Sequence, residues 1–310
     1  MRRELLSFPH IDSYPAMLFL GFLSAYLLAR WRARRSGVEG RHIDNLTLLF
    51  AILGLAGARF FSWMFYQPAG ASLAENFRLW GNGGLVFYGG VIAALAGLVA
   101  YCAIARLPLL QLTDIYAAPL ALGLGFGRVG CFLAGCCWGG VCWPAQPRAD
   151  IPPAHLARVS AFPALSPRGF LLAVRFPSGS GAFEQHQKLG LLEAGADRSL
   201  PVHPVQLYEA AGAFALALFL HRRFRLRRRA GEITALCGLG YAVLRLAMEL
   251  VRADNPRSYL GLTISQVISL VIGLFCLGLL FRLSRTVDNS STPSTPALTS
   301  TVPAPTVRPT

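Results

Sequence analysis

The chain has 310 residues, of which 54% are hydrophobic and only 14% carry a charged side chain. Its mean hydropathy is +0.48, whereas soluble domains contain about 25% charged residues, so this composition excludes an ordinary water-soluble domain. The 29 Lys and Arg against 15 Asp and Glu give a formal net charge of +14, which raises nucleic acid as a partner. Lys188 is the only lysine and the arginines are unevenly spread, so their positions matter more than their sum.

Seven stretches approach the roughly 20 apolar residues that a helix needs to cross a hydrocarbon core about 30 Å thick. These predicted spans cover residues 14–30, 46–66, 85–106, 112–137, 204–221, 232–251 and 263–282. They predict an all-α polytopic membrane protein whose two ends lie on opposite sides. The first span is interpreted as a retained helix, because arginines and no small-residue cleavage pattern follow it.

Arginines are distributed unequally between the alternate short loops, and this asymmetry predicts the orientation. The arginine-rich segments follow spans one, three, five and seven, at residues 30–41, 106, 222–229 and 282–285. The opposite segments contain Arg2, Arg3, Arg78, Arg252 and Arg257. We therefore expect a multi-pass protein with a periplasmic N-terminus and a cytoplasmic C-terminus.

Two segments do not suit the interior of a bilayer. Residues 138–203 are polar and Pro-rich, with a Gly-Ser-Gly turn signal at 179–181 and a strand-like run at 173–176, and are predicted to form a small extracytoplasmic ectodomain. Residues 284–310 consist mainly of Ser, Thr, Pro and Ala, which predicts a disordered cytoplasmic tail. Helices 1–4 then occupy residues 1–137, and helices 5–7 occupy residues 204–283.

Polar residues inside membrane spans are costly and mark functional sites. Once each span has a direction, its notable polar side chains all fall in the outer half of the bilayer. They are Tyr14, Arg59, Tyr88, Arg128, His203, Gln206, Tyr208, Glu209, Arg245, Glu249 and Gln266. The three arginines exceed the two carboxylates, and the forked guanidinium group matches phosphate oxygens. An anionic lipid headgroup from the outer leaflet is the predicted ligand.

Several of these residues also have a purely structural interpretation. Arg245 and Glu249 are four residues apart on one helical face and suit an internal ion pair. Arg59 suits a clamp on a helix end, and an isolated histidine such as His203 is more often structural than catalytic. Arg128 is harder to explain structurally, because it lies between two glycines that leave room for a ligand near the backbone.

Four cysteines cluster at the outer end of the fourth span, at positions 131, 136, 137 and 142. Their C-x4-C-C-x4-C spacing matches no established zinc pattern. Outside the membrane a disulfide among them is the preferred interpretation. We therefore expect no metal ion and no other cofactor.

Three of these segments resemble the motifs of one family, the prolipoprotein diacylglyceryl transferases. Residues 127–139, GRVGCFLAGCCWG, resemble the signature around the family's phospholipid-binding arginine, and residues 203–209 match its His-Pro-x-Gln-Leu-Tyr-Glu motif. Arg245-x-x-x-Glu249, followed by Arg252 and Asp254, is similar to a third element. Weaker similarities occur at Tyr14 and at residues 57–59, 88–90 and 262–266. The resemblance extends over about residues 8–283.

The sequence departs from the family pattern at three positions. Tyr88 occupies a position where some members have a histidine before two glycines. Cys131 and Cys136 replace an asparagine and a glutamate of well-known members. Catalytic roles of those family residues are therefore not transferred to the two cysteines.

The resemblance implies transfer of the diacylglyceryl group of phosphatidylglycerol to the lipobox cysteine of a prolipoprotein signal peptide, in the bacterial inner membrane. The expected roles are Arg128 and Arg245 on the phosphate, with Glu249 orienting Arg245. His203 and Tyr88 are alternatives for proton removal or headgroup binding. The expected substrate-binding residues are Arg128, Arg59, Tyr14, Gln206, Tyr208, Glu209 and Gly139.

A transporter for an anionic solute is the main rival interpretation. It predicts polar residues that continue into the cytoplasmic half, where this sequence has few. An intramembrane protease requires a buried serine with a histidine, or two aspartates, and Asp114 stands alone. Nucleic acid is not an expected partner, because the positive charge follows the topology.

Overall fold

The computed structural model describes residues 4–7, 10–66, 87–142, 172–193, 195–252 and 262–288. Two short antiparallel strands, which the sequence analysis did not predict, open the chain: β1 (Glu4–Ser7) and β2 (His10–Asp12). The helices are α1 (Ser13–Arg35), α2 (Gly40–Tyr66), α3 (Phe87–Ala105), α4 (Leu109–Ala134), α5 (Gly181–Lys188), α6 (Val205–Arg223), α7 (Glu232–Glu249) and α8 (Ile264–Asp288). A 3-10 turn, Phe224–Leu226, follows α6.

The seven long helices fall on the seven apolar stretches of the sequence, with differences at their ends. Helix α4 stops at Ala134, before the predicted end at Cys137, because Gly135 adopts a left-handed φ of 73°. Helix α8 continues to Asp288, into the predicted tail, and the rest of that tail lies outside the described residues. The predicted all-helical class is therefore confirmed for the long elements of the described chain.

Three described segments are long and apolar enough to cross a membrane, judged by length and composition. They are Gly40–Met64, Leu109–Ala134 and Ile264–Arg285, and a shorter apolar helix covers Gly89–Ala105. Large apolar side chains point outward from the bundle; Phe275, for example, is 72% exposed. Such a surface is unfavourable in water and suits contact with lipid chains.

The helices pack as antiparallel neighbours around α4. Helix α4 lies between α1 and α6, α7 packs against α6 and α8, and α2 packs mainly against α3. At the α2–α3 crossing, a side chain at Gly57 would stand 2.6 Å from the carbonyl oxygen of Gly89. Small residues permit this close approach of two helices in a membrane. The weak motifs at residues 57–59 and 88–90 are therefore adjacent in space.

The described part of the predicted ectodomain has a small core of its own. Phe176 and Leu191 are buried there with Val202, which forms isolated β-bridges to Val141 and to Val174. Helix α5 begins where the Gly-Ser-Gly signal indicated a turn, because the Ser180 hydroxyl accepts a hydrogen bond from a backbone N–H of its first turn. Residues 143–171 of this segment lie outside the described residues.

Buried polar residues also occur at the opposite end of the bundle, where the sequence analysis expected few. The wholly buried Asp114 accepts hydrogen bonds from two backbone N–H groups at the beginning of α7, at 2.8 and 2.9 Å. The wholly buried Arg32 donates to the carbonyl oxygens of Ile115 at 3.2 Å and Leu220 at 3.4 Å. The expectation was wrong for two reasons: Arg32 lies beyond the predicted first span, and Asp114, inside the predicted fourth span, was treated as an isolated residue although it binds a helix end.

This cluster around Asp114 is separated from the Arg128 end of α4 by apolar packing. Asp114 and Arg128 are 14 residues apart on one helix, or about 21 Å. Between them, Ala117, Ala118 and Ala121 are buried in the main hydrophobic core. The two polar ends therefore do not form one polar pathway through the described bundle.

We expect His186 to make the stability of the predicted ectodomain depend on pH. Its ring is 1% exposed, and its Nδ1 accepts a hydrogen bond from the backbone N–H of Leu200 at 3.2 Å. Burial lowers the pKa of His186 from 6.5 to about 4. The neutral ring is therefore the form that the folded ectodomain contains at neutral pH.

We expect the ectodomain to lose up to about 3 kcal/mol of stability as the pH falls from 6.5 to 4, because only the unfolded chain takes up a proton in this window. Amide hydrogen exchange over residues 181–191, corrected for intrinsic rates, measures this loss. A His186→Gln variant keeps a hydrogen-bond acceptor without this titration and should be insensitive to pH. The same pH dependence in both proteins would contradict the assignment.

Candidate active site

Helices α4, α6, α7 and α8 bring one buried charged network together. Its centre is Glu209, whose side chain is 1% exposed. Glu209 Oε2 lies 3.0 Å from Arg128 Nε, and Glu209 Oε1 accepts a hydrogen bond from Arg245 Nη1 at 3.1 Å. Arg245 Nη2 also donates to Ser265 Oγ at 3.0 Å and lies 3.3 Å from Glu249 Oε2. One carboxylate thus joins two arginines from different helices.

The directions of the helices explain this meeting. Arg128 lies near the end of α4, Glu209 near the beginning of α6, and Arg245 near the end of α7. Since successive long helices run in opposite directions, all three positions fall at the same end of the bundle. The spacing of Arg245 and Glu249 puts them on one helical face, as predicted.

The predicted surplus of positive charge does not lie inside this network. Arg128 and Arg245 are matched by Glu209 and Glu249, so the four formal charges sum to zero. The third arginine, Arg59, is buried on α2 at the same end of the bundle. An anion that binds here therefore meets arginines that are already held by carboxylates, and Arg128 has donor groups left for it.

Arg128 is the arginine with available donors. Its side chain is 18% exposed, and the Nε contact with Glu209 is its one ion pair among the described residues. The two Nη groups make no hydrogen bond within that part of the chain and reach the surface. The guanidinium is thus fixed on one side by Glu209 and presents a forked pair of donors on the other.

Tyr14 packs beside this arginine at the beginning of α1. A side chain at Gly130 would stand 3.1 Å from Tyr14 Cδ2, so the tyrosine ring covers the backbone two residues after Arg128. Tyr14 is also close enough to interact electrostatically with Arg128. Tyr14 therefore forms part of the rim around the partly buried guanidinium group of Arg128.

Two predicted binding residues hold the surrounding backbone in place. Gln206 is wholly buried, and its Nε2 donates to the carbonyl oxygen of Cys136 at 2.7 Å. The N–H of the buried Gly139 donates to the carbonyl oxygen of His203 at 3.0 Å, and a side chain at Gly139 would overlap Val205. These contacts fasten the segment after α4 to the beginning of α6.

His203 and Tyr208 form a neighbouring pair. The Tyr208 hydroxyl lies 3.5 Å from His203 Nδ1. Burial lowers the pKa of His203, which favours a neutral ring that is able to accept a proton. Tyr88 begins the first turn of α3 at the same end of the bundle, and its side chain lies outside the described part of the structure.

The cysteines behave differently from the sequence-based expectation. All seven are free thiols, so the disulfide expected among Cys131, Cys136, Cys137 and Cys142 is not formed. Instead, the sulfur atoms of the first three lie within 4.8 Å of one another. Spacing alone did not indicate this cluster, because the reversal of the chain at Gly135 creates it.

We expect a Glu209→Gln substitution to destabilise the protein by about 3–5 kcal/mol, because it leaves two arginines, one of them nearly wholly buried, without their shared carboxylate. Thermal unfolding of the purified protein in detergent measures the effect. Glu39→Gln is the matched control, since Glu39 forms an exposed pair with Arg41 and its loss should cost less than about 1 kcal/mol. Equal effects of the two substitutions would show that Glu209 is not a structural centre.

Comparison with known proteins gives a consistent result over most of the chain. A sequence profile of the prolipoprotein diacylglyceryl transferase family matches residues 3–282. Relatives named phosphatidylglycerol–prolipoprotein diacylglyceryl transferase include a protein of Clostridium tetani, 28% identical over 86% of this chain and 91% of the relative. The relative from Xylella fastidiosa strain M12 is 30% identical over 84% of this chain and 86% of the relative. The relative from Photorhabdus laumondii is 29% identical over 87% of this chain and 91% of the relative. The chain belongs to the prolipoprotein diacylglyceryl transferase family.

Proposed function

We propose that this membrane protein transfers the diacylglyceryl group of phosphatidylglycerol to the thiol of the lipobox cysteine in a prolipoprotein signal peptide. The reaction forms a thioether and releases glycerol 1-phosphate. The relatives carry the name of this activity. The observation that supports it most strongly is Arg128, whose Nε is fixed by Glu209 while its two Nη groups remain available at the outer end of the bundle.

The reaction is a displacement at the carbon bonded to a phosphate oxygen, so negative charge grows on the departing phosphate. A guanidinium group already held in position stabilises that charge without reorganisation in the transition state. Arg128 supplies this group, and its Nη pair matches two phosphate oxygens. One such donor contributes about 3–4 kcal/mol to lowering the barrier.

Besides the phosphate contact that the sequence suggested, Arg245 has a positioning role. Its Nη1 is engaged by Glu209, and its Nη2 by Ser265 and Glu249. With both terminal nitrogens occupied, Arg245 positions Glu209 and, through it, Arg128. Glu249 orients Arg245, as expected from their spacing.

The substrate thiol must lose its proton before it attacks, because the thiolate is the nucleophile. His203 and Tyr88 remain the alternatives for accepting this proton or for binding the headgroup glycerol. His203 is favoured as the acceptor because burial keeps its ring neutral. The substrate-binding region also includes Tyr14, Tyr208 and Arg59. Its backbone is held in place by Gln206 and Gly139.

The proposed topology has seven membrane crossings in the bacterial inner membrane, with a periplasmic N-terminus and a cytoplasmic C-terminus. The arginine-rich loops support this orientation. It puts Arg128 and its network in the outer leaflet, where a lipid enters from the side and a signal peptide presents its cysteine. Residues 138–203 are then periplasmic and residues 284–310 cytoplasmic.

The alternative, a transporter for an anionic solute, is not favoured. A transport pathway requires polar lining that reaches both sides of the membrane. In the described bundle, a buried apolar layer that includes Ala117, Ala118 and Ala121 separates the outer network from the inner cluster around Asp114.

We expect Arg128→Ala to lower the rate of thioether formation at least about 100-fold, because an oriented phosphate-binding donor is lost. The assay uses labelled phosphatidylglycerol and a cysteine-containing signal peptide with purified, folded protein. Arg34→Ala removes an exposed arginine at the opposite end of the bundle and should keep full activity. An Arg128→Ala variant with full activity would overturn the phosphate-binding role.

The orientation has a separate test. A protease-sensitive tag attached after residue 310 should resist protease added to intact spheroplasts and be cleaved after lysis, since the C-terminus is proposed to be cytoplasmic. A tag in residues 143–171 should be cleaved without lysis. The reverse pattern would overturn the orientation.

A further inference from the structure

The cluster of Cys131, Cys136 and Cys137 begins three residues after Arg128. Their three sulfur atoms lie within 4.8 Å of one another, and each residue is partly buried. No other group of three or more His, Cys, Asp or Glu side chains within the described residues has metal-ligand spacing. The cluster is therefore distinct from the carboxylate network and lies next to it.

The backbone adopts unusual conformations to bring these thiols together. Helix α4 closes with Gly135 at φ 73°, and the N–H of Cys136 binds the carbonyl oxygen of Cys131 at 3.1 Å. Cys137 then has a φ of 60°, in the left-handed region. This conformation costs a non-glycine residue about 1–2 kcal/mol, and such strain is concentrated at functional sites.

The sulfur positions suit a metal ion with thiolate ligands. A Zn–S bond is about 2.3 Å long, so two thiolates in a tetrahedral zinc site are about 3.8 Å apart. Small movements of the side chains bring sulfur atoms within 4.8 Å to this separation. The spacing of these cysteines matches no established zinc pattern, and the three thiols come together only because the chain folds back at the end of α4.

Two arginines lie close enough to interact electrostatically with the cluster. Arg128 interacts electrostatically with Cys131 and Cys137, and Arg252 with Cys137. A divalent ion with three thiolate ligands carries one net negative charge, which these arginines stabilise.

We propose that Cys131, Cys136 and Cys137 bind one thiophilic divalent cation of the zinc class, and that its fourth coordination position receives the cysteine thiol of the peptide substrate. Catalytic zinc sites have three protein ligands and one open position. The role of the open position rests on the proposed transferase function. The binding of the metal by the three thiolates is independent of that function.

The chemistry balances without any oxidant or reductant. The substrate thiol releases its proton to the acceptor proposed above, His203, when its sulfur binds the cation, because a coordinated thiol is deprotonated. A sulfur electron pair then forms the bond to the glyceryl carbon, while the carbon–oxygen bond to phosphate breaks. That bonding pair leaves with the phosphate oxygen beside Arg128, which gives the thioether and glycerol 1-phosphate.

The first experiment measures metal binding by the purified full-length protein in detergent, with Zn²⁺ stoichiometry and with Co²⁺ as a spectroscopic probe. We expect one Zn²⁺ per chain and a sulfur-to-cobalt charge-transfer band. Single Ser substitutions at positions 131, 136 and 137 should each weaken binding at least about 100-fold, since each removes one of three ligands. Cys276→Ser changes a buried cysteine on α8 and is the matched control.

Circular dichroism and thermal unfolding must show that the variants remain folded. If the wild-type protein binds no Zn²⁺ stoichiometrically, or if the three variants bind it as tightly as the Cys276→Ser control, the proposal is overturned.

The second experiment tests the open position with the cobalt-loaded protein. A signal peptide with its lipobox cysteine should increase the charge-transfer absorption by about one third, from three thiolates to four, whereas a Ser peptide should leave it unchanged. No response to the cysteine peptide would overturn the open position.

The transferase assay tests the catalytic role of the metal separately from the proposed transferase function. Full thioether formation by the zinc-free protein would overturn the catalytic metal and leave the proposed function intact. The expected spectral response without any thioether product would overturn the proposed function and leave the thiol-binding metal site intact.

Discussion

The active-site geometry depends on one carboxylate, Glu209, which contacts two arginines at once. Glu209 binds Arg128 with one oxygen and Arg245 with the other, and its side chain is almost wholly buried. Burying charged groups costs several kcal/mol per ion unless they are paired. The cost is offset only when α4, α6 and α7 meet at this end with the correct register. The same contact holds Arg128 Nε beside Glu209, so the proposed binding of phosphate by Arg128 is coupled to the packing of the helices.

The two ends of the bundle use similar side chains for different purposes. At the inner end, Asp114 and Arg32 bind backbone groups at helix ends, which stabilises the arrangement of helices. At the outer end, Arg128 is held by a side chain and keeps its terminal donors available. The apolar layer between the ends confines the polar chemistry to one side. This one-sided arrangement suits the proposed function, in which both substrates are proposed to reach the site from the same leaflet.

Much of this architecture was predictable because it follows from local sequence properties. The apolar stretches located the seven long helices, and their alternating directions brought Arg128, Glu209 and Arg245 to one end. The pairing of Glu209 with both arginines was not predictable, because it depends on side-chain reach between helices that are far apart in sequence. The thiol cluster was missed for a different reason: the left-handed conformations of Gly135 and Cys137 reverse the chain where the hydrophobic pattern suggests that α4 continues. The hydrophobic pattern therefore predicts neither the ion pairs between helices nor the reversal of the chain after α4.

A double-mutant cycle between Arg128 and Glu209 tests the central claim most directly. The quantity to measure is kcat/KM for thioether formation by the wild-type protein, Arg128→Ala, Glu209→Gln and the double variant, each confirmed to be folded. If Glu209 acts through Arg128, the double variant should be no slower than Arg128→Ala, so that the coupling free energy equals the whole effect of Glu209→Gln. Losses that multiply in the double variant would contradict the account, because they would show that the two residues act independently.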